Sequence, residues 1–125
     1  NFKTIDKTCI RDYIHIADIV KAFDLGIKYL TKNKKSEIIN LGTKNGLSTL
    51  SIFKTFQNFY NYKYEKPFFK KRRKGDVDKL ICDNKKSHKI LKWSPKFSDI
   101  SKIISDEKKW VNFINKKKII RKPIY

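Results

Sequence analysis

The chain has 125 residues, 39% hydrophobic and 14% aromatic, enough for one small domain with a core of its own. No run of about 18 apolar residues and no charged-then-apolar leader occurs, so the sequence offers neither a membrane span nor a secretory signal, and a cytoplasmic setting is expected. The formal charge of +19 would ordinarily point to a polyanionic partner, but all except four of the 31 basic residues are lysine. Lys, Ile, Asn, Phe and Tyr run high together while Gly, Pro, Ala and Arg run low, as an A+T-rich genome produces. Much of the charge therefore reads as composition spread over solvated surface. The chain starts at Asn1 and contains no Met, and is expected to be a piece of a longer protein.

Along the chain, Ile16, Ile19, Val20, Phe23, Ile27 and Leu30 recur at steps of three and four, which predicts one apolar face of a helix ending near Leu30. Glu37 to Gly42 has the length and β-branched content of a strand, closed by a glycine free to take positive φ. A second helix is expected after Ser48, whose hydroxyl suits an N-cap, with Leu50, Phe53, Phe56 and Tyr60 along one side and Asn61 loosening its end. Tyr62 to Phe69 alternates loosely and reads as an edge strand interrupted by Pro67.

The densest charge cluster, Lys70 to Lys74, follows, and Gly75-Asp76 closes it. A short helix over Lys85 to Leu91 leads to a turn at Trp93 and Pro95. The last helix, Ser98 to Ile114, is expected to turn Ile100, Ile103, Ile104, Trp110, Val111 and Ile114 inward. Residues 1–115 thus form one α/β unit, and 116–125 a basic tail expected to be disordered. Cys9 and Cys82 follow no CxxC spacing, which argues for two small packed side chains rather than a zinc site or a disulfide framework.

Taken alone, the 70–74 cluster is a solvated basic loop, and Arg11 an ion-pair partner for Asp12 or Asp18. Three separated segments change that reading. Asp6-Lys7-Thr8-Cys9-Ile10-Arg11-Asp12-Tyr13-Ile14-His15-Ile16-Ala17-Asp18 is close to D-G-T-x-x-R-D-Y-I-H-V-x-D, with Lys7 in place of glycine. Asn40-Leu41-Gly42-Thr43, then Asn45-Gly46-Leu47-Ser48, is similar to N-L-G-x-x-x-G-x-S. Arg72-Arg73-Lys74-Gly75-Asp76 is similar to R-R-x-G-D. After it come Asp83, Lys86 and Leu91-Lys92-Trp93-Ser94-Pro95, where the pattern is D-x-x-K-A and L-G-W-x-P.

In this order and spacing, from Thr4 to about Asn112, the segments resemble the C-terminal, substrate-binding portion of the UDP-glucose 4-epimerases, nucleotide-sugar enzymes of the extended short-chain dehydrogenase/reductase class with a Rossmann-type fold. The resemblance implies that Arg11 and Arg73 meet the diphosphate of a UDP-sugar and that Asp76 accepts from the ribose hydroxyls. Lys74 and Gly75 belong to the same motif, Gly75 letting the backbone turn close to the nucleotide. Guanidinium groups suit the task because they give paired, charge-assisted bonds to phosphate oxygens. Leu80, by resemblance, stands in the wall of the sugar pocket, where a residue of its size admits UDP-glucose, UDP-galactose and, slowly, N-acetylated sugars. Its alternative is to continue an apolar Leu80-Ile81-Cys82 strand into the core. Tyr13 and His15 fall in a segment leading into a helix and are assigned packing roles.

The resemblance further implies galactose-metabolism chemistry with NAD, held by an N-terminal half with which this portion would be partnered, in an enzyme expected to be a homodimer. No catalytic residue is expected here. Gly26, Gly42, Gly46 and Gly75 do not form the glycine-rich dinucleotide turn. Tyr62 and Lys66 match a Tyr-x-x-x-Lys pair only formally, since four residues of strand span roughly 13 Å. The chain by itself is therefore expected neither to hold NAD nor to epimerise a sugar. The rival readings are another UDP-sugar epimerase, such as one acting on UDP-N-acetylglucosamine, and a non-enzymatic basic nucleic-acid-binding module.

Overall fold

The computed structural model describes residues 2–61 and 66–117. Seven elements follow in order: β1 (Ile10–Asp12), α1 (Ile16–Asn33), β2 (Gly46–Ser48), α2 (Thr49–Tyr60), β3 (Lys79–Leu80), α3 (Lys85–Leu91) and α4 (Ile100–Lys117). The three short strands form one sheet in the order β2-β1-β3, with β1 antiparallel to β2 and parallel to β3. The architecture is mixed α/β, as expected.

Local chemistry sets the helix ends. His15 caps α1 by accepting the Ala17 amide on Nδ1 at 3.0 Å. The Ser48 hydroxyl accepts the Ser51 amide at 3.1 Å and caps α2, as its position predicts. Asn61 closes α2 in the left-handed conformation, and α3 occupies its expected span. The last helix starts two residues later than expected and continues through Lys117, past the expected boundary at 115; the remainder of the basic tail lies outside the described residues.

Two expected strands do not form among the described residues. From Glu37 to Leu41 partly buried and exposed positions alternate as in a strand. They make no ladder, and no strand among the described residues neighbours them. Of the strand expected over Tyr62–Phe69, residues 62–65 lie outside the described residues and 66–69 pair with nothing, Pro67 having no amide to give.

The core is small. Ala22, Leu91 and Trp93 are buried together, with Ile14, Leu25, Tyr29, Ile39, Leu41 and Ile90 packed around them. Asp18 is its polar anchor: its carboxylate accepts the amides of Lys96 and Phe97 at 2.9 Å and the Ser98 hydroxyl at 2.6 Å, while its carbonyl accepts the Trp93 indole N–H at 2.9 Å. A compact chain of this mass exposes about 7,000 Å². This one exposes 10544 Å².

Part of that surface is the apolar stripe read from the sequence, which lies on the outside. Ile16, Val20, Phe23, Ile27 and Leu30 of α1 lie 47–67% exposed, while Asp18, Ala22, Leu25 and Tyr29 turn to the core. The periodicity is genuine, and it marks a face that nothing among the described residues covers. Trp110 and Val111 of α4 are likewise exposed, and only Ile104 of that helix is buried.

Lysines stand where the backbone favours glycine. Lys7 and Lys92 have φ of 60° and 53°, and they are the two positions at which the resembled motifs carry glycine. A left-handed L-residue costs about 1–2 kcal/mol, of which glycine's greater freedom in the unfolded chain returns roughly half. Lys7→Gly and Lys92→Gly are each expected to stabilise the chain by about 0.5–1 kcal/mol, measured by urea unfolding. Gly42 itself keeps negative φ and is required for a different reason. A β-carbon there would collide with that of Cys82 and lie 2.7 Å from Asp12 Oδ2.

Candidate functional site

Strand β1 ends at the mouth of an open cleft of about 590 Å³, whose wall includes Arg11, Asp12, Leu41, Leu80, Cys82 and Asp83. Asp12 builds its floor. Its carboxylate accepts the amides of Thr43, Lys44 and Cys82, the first at 2.9 Å and the last at 3.2 Å, together with the Thr43 hydroxyl. One carboxylate thus joins the loop after residue 42 to the strand end at 82 and closes one end of the cleft. Burial, with the Asp12 and Asp83 carboxylates nearby, raises the Cys82 thiol pKa, so it stays protonated and acts as lining. Both cysteines are free, as expected, though neither is fully buried.

Beside the cleft, the basic cluster folds back on β1. Residues 73–76 make a turn in which the Asp76 amide donates to the Arg73 carbonyl, and Gly75, at φ +87°, holds the third position where such turns demand a residue free of a side chain. The turn carries Asp76 to Arg11. Arg11 Nη1 donates to the carbonyls of Ile10 (2.8 Å) and Val77 (3.0 Å), and Nη2 lies 3.5 Å from Asp76 Oδ1. Arg73 Nε approaches the other oxygen of Asp76 at 3.2 Å, with its side chain 87% exposed. Two guanidinium groups from segments some sixty residues apart therefore share one carboxylate.

Each residue singled out from the sequence can now be located. Arg11, Arg73, Gly75 and Asp76 come together, and Lys74 sits exposed in the same turn. Leu80 lies on β3 in the cleft wall, 61% exposed, so it does not continue an apolar strand into the core. Arg11 pairs with neither Asp12 nor Asp18, both of which are engaged elsewhere. His15 caps α1 and places Nε2 3.3 Å from Asp106, consistent with a packing role. Tyr62 lies outside the described residues. Asp12, read from the sequence only as a possible ion-pair partner, and Arg72 both stand inside the motifs; Asp12 works through loops 31 and 70 residues away, Arg72 through residues within its own segment.

The residues do not fit a dinucleotide. The one strand-to-helix junction with nearby glycines, β2 to α2, is filled: a β-carbon on Gly46 would meet the Ile81 side chain and lie 2.6 Å from Ile10 Cγ2. Gly46 is thus needed for packing against Ile10 and Ile81, a different task from a dinucleotide turn.

No protein-family model matches the chain. Among solved structures, it is similar to a UDP-glucose-4-epimerase from Stenotrophomonas maltophila with bound NAD and formylated UDP-arabinopyranose, at a TM-score of 0.82 and 29% identity over 93% of this chain and 34% of that one. It is also similar to the UDP-Glc/GlcNAc 4-epimerase from Campylobacter jejuni, at a TM-score of 0.76 and 31% identity over 90% and 33% of the two chains. By fold and sequence, the chain belongs with the C-terminal region of the extended short-chain dehydrogenase/reductase epimerases, a family that uses NAD. Within that class its curated relatives are UDP-glucose 4-epimerases: the one from Streptococcus mutans is 37% identical over 112 residues, covering 88% of this chain. The chain spans about a third of the length of these relatives.

Proposed function

We propose that this chain is the substrate-binding portion of a UDP-glucose 4-epimerase that interconverts UDP-glucose and UDP-galactose, and that it supplies the diphosphate and ribose contacts. The observation that carries the reading is the convergence of Arg73 and Asp76 on Arg11, which lines the cleft. A diphosphate arriving between the guanidinium groups takes over their charge-assisted bonds and frees the Asp76 carboxylate to accept from ribose hydroxyls. The partner is an NAD-holding half, meeting the exposed stripe of α1 and the unpaired segment 37–42. Such an enzyme works as a homodimer in a cytoplasmic setting, and among the described residues no helix is long and apolar enough to cross a membrane.

Titration of the 125-residue chain with UDP, followed by NMR, tests the reading. Arg73→Ala is expected to weaken UDP binding by about 2–3 kcal/mol, the range for losing a bond to a charged group, while Lys116→Ala leaves it unchanged. Equal small effects would return the cluster to a solvated surface. Retention on heparin at moderate salt with no response to UDP would favour the nucleic-acid module instead.

Sugar choice is tested at Leu80. Leu80→Tyr is expected to lower binding of UDP-N-acetylglucosamine several-fold relative to UDP-glucose, because a ring in the cleft wall takes the space of the N-acetyl group. An unchanged ratio in competition titrations would remove Leu80 from the pocket.

A further inference from the structure

Arg72 is adjacent to the proposed phosphate ligand in sequence but does different work. Its Nε donates to the Asp76 carbonyl at 3.0 Å, and Nη2 donates to the same oxygen. Nη1 donates to Asp78 Oδ1 at 2.9 Å, and that oxygen also accepts the Lys3 amide at 3.0 Å. The guanidinium carbon lies 4.8 Å from the centre of the Phe2 ring, a cation–π distance. Its side chain is 34% exposed, against 87% for Arg73. Three of the five N–H donors of Arg72 are thus spent on the protein.

The geometry points to Arg72 as a positioning residue for nucleotide recognition: it clamps the backbone at Asp76, so that the carboxylate stands where a ribose can reach it. This rests on the reading of the site given above. The physical reason is that residues 73–76 hang on one backbone bond of 3.3 Å, around a glycine with nothing within 4 Å of its missing β-carbon. Such a turn has no packing to fix it. Two donors converging on the Asp76 carbonyl, anchored through Asp78 to the segment at Lys3, supply the missing constraint. Arg11 donating to the Val77 carbonyl holds the next peptide, so the turn is gripped from both sides.

A clamp acting through Asp76 affects ribose recognition, whereas a phosphate ligand affects only the diphosphate. The test is NMR titration of the 125-residue chain and its variants with UDP and with uridine. Arg72→Ala is expected to weaken both by a similar factor, about fivefold, with the chain's unfolding midpoint in urea little changed. Asp78→Asn, which loosens the anchor while keeping its shape, is expected to weaken both in the same ratio to a smaller extent, and serves if Arg72→Ala fails to fold. Arg73→Ala sets the contrasting pattern, weakening UDP far more than uridine. Loss of UDP binding alone in Arg72→Ala would make Arg72 a phosphate ligand and overturn the proposal, as would unchanged binding of both. A wild-type chain that binds neither UDP nor uridine would overturn the site reading itself, and the proposal with it.

Discussion

Asp18→Ala is expected to abolish the cooperative unfolding transition of the chain in urea, followed by far-ultraviolet circular dichroism. The carboxylate is 3% exposed and is the partner of two amides and a hydroxyl in the 96–98 loop. Removing it leaves those donors in a site that water reaches poorly. Losing three hydrogen bonds to a charged group costs about 3–5 kcal/mol, and a chain with four buried hydrophobic side chains among its described residues has little stability to spare.

The same carboxylate makes a pH prediction. Burial alone would raise its pKa, but the bonds from Ser98, Lys96 and Phe97, with the field of His15, outweigh burial and hold it below the usual carboxylate value. A carboxyl whose pKa is lowered on folding contributes stability that is fully present above its unfolded value, near pH 4, and is lost as pH falls through the folded value. Stability of the wild-type chain should therefore fall below about pH 4, and Asp18→Asn, already weakened at neutral pH, should show a shallower acid decline.

Trp93→Ala is expected to be of similar severity, about 3–5 kcal/mol, the range for truncating a buried tryptophan. The indole is 2% exposed, at the centre of the cluster with Ala22 and Leu91, and its N–H donates to the Asp18 carbonyl. Trp93→Phe separates the two contributions, keeping most of the ring and losing the bond, and should cost about 1 kcal/mol for the bond plus the unfilled volume. Because Asp18 and Trp93 hold one joint between α1 and the 93–98 loop, the double alanine variant should lose less than the sum of the single losses. Full additivity in the milder pair, Asp18→Asn with Trp93→Phe, measured on the same urea curves, would show that the two residues hold separate parts of the chain.

The sequence by itself determined the helices, because their signals are local: the Ser48 cap, the Asn61 stop, the span of α3 and the 3.6-residue periodicities all lie within a few turns of backbone. The motifs that carry the resemblance also singled out Arg11, Arg73 and Asp76, which the fold does bring together. Periodicity says that a helix face is apolar and nothing about what covers it. Only the tertiary structure shows which side of α1 packs, seating Asp18 and Ala22 in the core and leaving Phe23 and Ile27 outside. Segment 37–42 has strand chemistry, yet a strand is a property of two segments, and no second one meets it among the described residues. The roles of Asp12, Asp18 and Arg72 were hidden for the same reason. Asp12 and Asp18 carry their meaning in hydrogen bonds to loops 31 and 80 residues away, and Arg72, though it bonds within six residues, is seated against Phe2 from the far end of the chain; folding alone decides which groups a carboxylate or guanidinium will meet.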